Sequence, residues 1–331
     1  MSKSKILMLL VLIVIGGVAF FVTQNNSKVE VKPIGDTNEL IKLDIGVSQL
    51  RISLPVFVAK EQGLFKKNGL DVSFVYYNTA QPLMQSLVEG KINLAGYTAL
   101  PIIYNGMQRS KKELLFLTTM IEDDKHRISY LLKKKDSNIA DIKSLEGKKI
   151  GILPTIAYSA WVKEILKVNG VDLNKVTITP IAPMQQGQSL ANGAVDVLFT
   201  NDPVATTVID KNIGELLSQD VDCAKYITNP FPFGSFNVDK KWAEAHPSEL
   251  KKVKNALNEA VEFVNSHPKE AKLLMKNHIP DAFKPYVSKY PDALYLKTNE
   301  SSDKIFKTIS EKYLEIGIIK KPINLDGLTV N

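Results

Sequence analysis

Cysteine is almost absent from this chain. Cys223 is the only one among 331 residues, so no internal disulfide can form. It also lies far from the apolar run near the N-terminus, which excludes a lipid-carrying cysteine behind that run. Histidine is scarce. His126, His246, His267 and His278 show no metal-ligand spacing, and three of them fall in the helical pattern toward the C-terminus, so no metal site is expected. There is no glycine-rich loop of the dinucleotide-binding or P-loop kind, which leaves nucleotide chemistry without support, and no cofactor is expected. Charge of one sign is not in large excess: 42 Lys and Arg against 35 Asp and Glu give +7. The clusters Lys111-Lys112, Lys133-Lys134-Lys135 and Lys148-Lys149 have no interleaved aromatics and read as solvated faces, so no nucleic-acid partner is expected. A positive surface would also sit comfortably near anionic lipid headgroups.

What is present is an ordinary globular composition, 44% apolar and 23% charged, in a chain long enough for two lobes. Lys3 and Lys5 precede an unbroken uncharged run from Ile6 to Val22, the pattern of an export signal or a membrane anchor. Its seventeen residues favour an uncleaved anchor with the basic end in the cytoplasm, because signal peptides usually carry a shorter apolar core. Cleavage near Gly17-Val18-Ala19 is the alternative; it would leave Phe20, Phe21 and Val22 at the new terminus. Either outcome places the bulk of the chain outside the cytoplasm. Residues 1–28 are thus assigned to the stub and anchor, and 29–41, polar and carrying Pro33 and Gly35, to a linker.

From Ile41 onward short β-rich runs alternate with helical patterns. Ile41–Val47 alternates with period two, as a first strand should. A helix is predicted over Leu54–Glu61 with Pro55 in its first turn and Gly63 as its stop. Strand, helix and strand follow at Asp71–Tyr76, Pro82–Glu89 and Ile92–Gly96, then a helix at Pro101–Met107 and a buried strand at Leu114–Met120. The rhythm restarts at Ser129–Lys133. It continues through strands at Lys148–Leu153, Val176–Pro180, Val195–Thr200 and Ile213–Leu217, with helices at Ala157–Asn169, Gly187–Asn192 and Pro203–Asp210. Leu87–Ala95 and Leu190–Leu198 echo one another, each a helix ending near Gly and followed by a strand. A return strand is predicted at Ser235–Val238. Beyond it the pattern turns helical, at Asp239–Glu244, Pro247–Asn265, Pro268–Asn277, Pro280–Ser288 and Asp303–Leu314. The expectation is an α/β fold of two lobes with mixed, mostly parallel sheets: residues 42–124 with 225–331 as lobe 1, and 125–224 as lobe 2. Two crossovers, near Glu122 to Ile128 and near Cys223 to Phe236, would form a hinge beside a ligand-binding cleft.

The stretch Leu54-Pro55-Val56-Phe57-Val58-Ala59-Lys60-Glu61-Gln62-Gly63-Leu64-Phe65-Lys66-Lys67-Asn68-Gly69-Leu70-Asp71-Val72 closely resembles the opening of the nitrate, sulfonate and taurine class of ABC-transporter substrate-binding proteins. That class also takes in binding proteins for thiamine precursors and the related pyrimidine-synthesis enzymes. Ala80–Leu94, Leu145–Gly151 and Asn201-Asp202-Pro203 resemble further parts of its layout, and the resemblance runs over about residues 42 to 315. It implies a type II periplasmic-binding-protein-like fold. It also implies ligand contacts at Gln49 to Ser53, Asn78 to Gln81, Tyr97 and Thr98, Pro154 to Ser159, Met184 to Gln186, and Asn201 and Asp202. Strand carboxyl ends and helix starts converge on a crevice for the same reason in physical terms.

Within those stretches Arg51 reads either as a bidentate clamp for a sulfonate, carboxylate or phosphate, or as a salt-bridge residue near the hinge. Thr155 and Ser159 read as ligand contacts or helix caps. Tyr158 reads as a pocket residue, with Trp161 in the core, and Tyr97 as a stacking wall. Gln49, Asn78, Thr79, Ala80, Thr98, Met184, Gln185 and Asn201 complete the polar and rim positions. Asp202 would repel a bare anion and favour an amine-bearing ligand, unless it caps the helix at Pro203 and never meets ligand. Phe231 and Phe233 would close over an apolar part of the ligand or pack the hinge.

No catalytic constellation is present, and the cysteine-rich, iron-associated motif of the pyrimidine-synthesis enzymes is missing. The expected function is therefore the extracytoplasmic solute-binding part of an ABC importer. It would take a small sulfonate, an organic acid, or an amine-bearing or pyrimidine-like compound, work as a monomer, and dock on the permease subunits. An extracellular sensor built on the same clamp is the alternative, and an enzyme of thiamine-pyrimidine synthesis is the remote one.

Overall fold

The computed structural model describes residues 39–330. The expected anchor, and the expected linker up to residue 38, lie outside the described residues, and Ile41 already opens the first strand. Among the described residues no helix is long and apolar enough to cross a membrane.

Lobe 1 is built on β1 (Ile41–Ser48), β2 (Leu70–Tyr77), β3 (Leu94–Ala99) and β4 (Leu114–Glu122). Between them lie α1 (Leu54–Glu61) and α2 (Leu64–Lys67), then α3 (Ala80–Val88) and α4 (Leu100–Ser110). Lobe 2 holds β5 (Tyr130–Lys134), β6 (Lys149–Ile152), β7 (Thr177–Pro180), β8 (Val197–Thr200) and β9 (Gly214–Leu216). Its helices are α5 (Ile156–Val168), α6 (Pro183–Ala191), α7 (Val204–Asp210) and α8 (Asp222–Tyr226). The chain returns to lobe 1 as β10 (Phe231–Asp239) and continues through α9 (Lys240–Ala245), α10 (Pro247–Ser266), α11 (Pro268–Leu274), the short edge strand β11 (Leu294–Leu296) and α12 (Asp303–Glu315).

The first sheet runs β11-β4-β10-β3-β1-β2 and the second β7-β6-β8-β5-β9. In each, three parallel strands form one side, β2-β1-β3 and β7-β6-β8, and antiparallel strands complete the other. Ile41 pairs with Leu70 and Ser48 with Tyr77, so β1 and β2 end level. β4 and β10 are buried along their full length, as central strands between helical layers should be. Each leads to or from a crossover, β4 toward β5 and β10 back from α8.

Local chemistry accounts for the boundaries. Pro55 sits in the first turn of α1, and Gly63, at φ 68°, takes the left-handed turn that follows it. β10 begins at Phe231 and not at Ser235, because the missing N–H of Pro232 falls where the register shifts and the ladder is interrupted anyway. Gly234 lies at that irregularity, where a Cβ would stand 2.5 Å from the Thr98 carbonyl oxygen. α6 starts four residues before the expected Gly187, with Pro183 in its first turn. Buried Gln186 and Leu190 hold it against the cost of an interior glycine. β3 is displaced to Leu94–Ala99, Pro280–Ser288 is a 3₁₀ helix over Asp281–Lys289, and α8 and β11 were not expected.

The C-terminal segment packs chiefly on lobe 1. His278 stacks on Phe57 at 4.6 Å and bonds Tyr76 and Glu61 at 2.7 and 2.9 Å. It reaches lobe 2 as well: Lys289 pairs with Asp210, Lys211 lies 5.7 Å from the centre of the Tyr286 ring, and the Trp161 indole donates to the Tyr313 hydroxyl at 3.1 Å.

Candidate functional site

The parallel strands of both sheets point their carboxyl ends at one cavity between the lobes. Lobe 1 contributes Ser48 at the end of β1, Leu50 and Ile52 just after it, Thr79 and Ala80 at the start of α3, Tyr97 and Ala99 on β3, and Ile102 on α4. Lobe 2 contributes Leu153 and Thr155 after β6, Tyr158 on α5 and Asn201 after β8, while Phe233 of β10 closes the hinge side. The lining is mostly apolar and carries no charged side chain. The lobes are drawn together so closely that the cavity is ≈ 30 Å³, space for about one or two waters.

Two of its polar atoms have no hydrogen-bond partner although they are buried: the Tyr158 hydroxyl and Asn201 Oδ1. Tyr158 is held by its ring, 5.4 Å from Trp161, 5.2 Å from Phe199 and 6.3 Å from Phe233, so the hydroxyl can remain unbonded without losing its place. Burial pushes its pKa well up, and it stays a neutral donor. Tyr97 is engaged, its hydroxyl 2.6 Å from Thr118 Oγ1. Thr79 and Thr155 precede α3 and α5 on opposite lobes; Thr155 accepts from the Tyr158 N–H at 3.3 Å, whereas Thr79 makes no such cap. The first N–H groups of each helix lack intrahelical acceptors, so two helix starts with their positive dipole ends flank one cavity.

The charges lie behind the wall, paired with each other. Arg51 is 1% exposed and Asp202 0%, and Arg51 Nη1 stands 3.3 Å from Asp202 Oδ2 across the lobe boundary. The same guanidinium donates to the Pro291 carbonyl at 3.0 Å and the Arg127 carbonyl at 2.5 Å, which ties in the C-terminal segment and the first crossover. Asp202 also accepts from the Tyr130 hydroxyl at 3.2 Å and from the Thr206 N–H at 3.0 Å in the first turn of α7. Burial would lower the Arg51 pKa, but Asp202 and the surrounding oxygens outweigh it, and the arginine stays charged.

The crossovers are fastened by a second buried carboxylate pair. Glu122 accepts from the Ile128 N–H at 2.8 Å, the Ser129 N–H, the Ser129 hydroxyl at 2.9 Å and the Ala224 N–H at 3.0 Å, so one side chain joins both crossovers. Asp222 accepts from the Leu131 N–H at 2.7 Å, with Arg127 Nη1 at 3.9 Å. Burial raises its pKa to about 8 despite Arg127.

Of the residues singled out from sequence, Thr79, Ala80, Tyr97, Thr155, Tyr158, Asn201 and Phe233 are brought together on the cavity wall, with Leu50 and Ile52 of the expected stretch Gln49 to Ser53. Arg51 and Asp202 lie behind it. Gln49 turns to the His278 carbonyl, Thr98 is buried on β3 and donates to the Gly96 carbonyl, and Phe231 packs on Trp161 at 5.3 Å. Asn78 and Gln185 are exposed, Ser159 sits in the first turn of α5, and Met184, 55% exposed, lines a separate groove beside Phe283. Ser48, Ala99, Ile102 and Leu153 were missed, because small or aliphatic residues carry no chemical mark; only their position at strand ends or, for Ile102, at a helix start could have found them. Among the described residues no cluster of three or more His, Cys, Asp or Glu could hold a metal ion.

Comparison with known proteins agrees with this architecture. The profile of the family described as NMT1/THI5 like matches residues 52–271. A Bacillus subtilis (strain 168) protein assigned to binding aliphatic sulfonates is 25% identical over 242 residues, 72% of this chain and 69% of that protein. The nitrate import ATP-binding protein NrtC of Synechocystis is 23% identical over 72% of this chain, which spans only 37% of that longer protein. The crystal structure of the periplasmic aliphatic sulphonate binding protein SsuA from Escherichia coli superposes with a TM-score of 0.68 at 17% identity, covering 87% of this chain and 97% of that one. With a profile match over most of its length and two α/β lobes closing on a common cavity, the chain belongs to the NMT1/THI5-like family and is a solute-binding protein of the ABC-transporter type.

Proposed function

We propose that this protein is the extracytoplasmic component of an ABC importer and that its ligand is a small organic anion with an apolar body, captured between the lobes. The observation that carries the reading is the cavity wall: apolar, uncharged, flanked by two helix starts, and holding the unbonded Tyr158 hydroxyl as a neutral donor. Helix starts and neutral donors bind anions without a counter-ion. An amine would find no free carboxylate, since Asp202 is already held by Arg51, Tyr130 and Thr206. The names of the relatives, which speak of sulfonates and nitrate, point the same way. Ligand entering between parted lobes touches both, favours closure, and presents the closed form to the permease. The apolar run 6–22 would keep the monomer at the outer face of the membrane, raising its concentration near the permease.

The test is calorimetric titration of the full-length protein in mild detergent with hexane-1-sulfonate, hexanoate, nitrate and hexylamine. Saturable binding of the sulfonate or carboxylate, with hexylamine inert, is expected. Binding of the amine alone would overturn the reading.

A further inference from the structure

The inner cavity, at ≈ 30 Å³, is far below the few hundred Å³ usual for a ligand site. It is not isolated. Ile102 belongs equally to the wall of an adjoining groove of ≈ 280 Å³ that runs between α3 and α4 and is bounded from lobe 2 by Ile156 at the start of α5. The groove floor is apolar, made of Met84, Val88 and Ile102. Its rim is polar, and Gln81 Oε1 is buried there without a partner. At the far end stands Arg109. The chain has three arginines. Arg51 and Arg127 are engaged inside the molecule, with Asp202, Pro291, Gln219 and Asp222 among their partners, whereas Arg109 is exposed and makes no hydrogen bond or ion pair among the described residues. No carboxylate lines the groove to compete for it. Ile102 and Arg109 are seven residues apart on one helix, about 10 Å along its axis.

We propose that the ligand runs from the interlobe cavity along this groove and ends in a second anionic group on Arg109, so that the preferred ligand class is an elongated organic dianion. This rests on the reading of the cavity as an organic-anion site. The inner end is held between the helix starts, the chain lies on Met84, Val88 and Ile102, and the guanidinium takes the outer carboxylate or sulfonate through paired N–H donors.

The experiment compares hexane-1,6-disulfonate with hexane-1-sulfonate by calorimetric titration of the full-length protein, its Arg109→Gln variant, and Lys111→Asn. Lys111 is a neighbouring exposed cation outside the groove, at a left-handed position that asparagine also adopts. The disulfonate should bind about ten-fold tighter to the wild type, the return of one charge-assisted contact. Arg109→Gln should bring the ratio near one, and Lys111→Asn should keep it. Equal affinities in the wild type, a ratio that survives Arg109→Gln, or one that falls equally in both variants overturns the proposal while leaving the anion site standing. Failure of both sulfonates to bind removes the anion reading and this inference with it.

Discussion

Two sets of buried polar groups lie within a few residues of one another and are treated in opposite ways. Arg51, Asp202 and Glu122 are charged or chargeable, sit behind the cavity or in the crossovers, and have partners on different parts of the fold. Tyr158 and Asn201 are neutral, face the cavity, and leave an oxygen unbonded. The division is physical. A buried charge without a partner is far too costly to keep waiting for a ligand, whereas an unbonded neutral hydroxyl or amide costs only about 1–3 kcal/mol. Charges therefore hold the lobes, and neutral groups are kept free to read what comes between them.

The largest effect should come from breaking the first set. Asp202→Ala leaves the Arg51 guanidinium buried without its counter-ion and frees the Tyr130 hydroxyl and Thr206 N–H. A loss of about 3–5 kcal/mol in urea-unfolding stability is expected, together with a larger radius of gyration in solution scattering as the lobes part to hydrate the arginine. A variant that keeps both wild-type stability and wild-type compactness would mean that the pair holds nothing together.

A smaller effect separates the hinge from the cavity by pH. Burial lifts the Asp222 pKa to about 8, so between pH 4 and 8 the folded protein retains a proton that the unfolded chain has released. Stability should fall as pH rises through that window, by at most about 1.4 kcal/mol per pH unit from this group, and level off above 8. His278, whose pKa burial lowers, opposes the trend only where the unfolded histidine is protonated, so the range from pH 6.5 to 8 is the one to measure. Asp222→Asn should flatten the slope of urea stability there; an unaltered slope would place the titration elsewhere.

The same division explains what could be read from sequence. The Leu54–Glu61 helix was bounded correctly because Pro55 and Gly63 act through the backbone itself. β11, three residues on a sheet edge, and α8, a single buried turn, have too short a period to announce themselves. At the site, polar and aromatic residues near strand ends and helix starts drew notice, and Thr79, Tyr97, Thr155, Tyr158, Asn201 and Phe233 stand on the cavity wall. Whether Arg51 met ligand or a carboxylate was undecidable, because its partner Asp202 lies 151 positions away in the other lobe and only the closed fold sets the two side by side. Arg109 escaped for a related reason: it becomes distinctive only when the engagement of Arg51 and Arg127 is visible.

The sharpest probe of the second set has the smallest effect on stability. Tyr158→Phe keeps the ring and its packing on Trp161, Phe199 and Phe233 and removes only an oxygen that bonds nothing. If that hydroxyl is held for ligand, its loss should leave urea stability unchanged or raise it by up to about 1 kcal/mol, because a desolvated donor is no longer carried into the fold. Affinity for the sulfonate should fall by about five- to ten-fold, the worth of one neutral hydrogen bond. Stability and affinity thus move apart at Tyr158, whereas at Asp202 it is stability that falls. A Tyr158→Phe protein that is destabilised by more than about 1 kcal/mol, or that binds as before, would show that the hydroxyl belongs with the groups that hold the lobes and not with those that read the ligand.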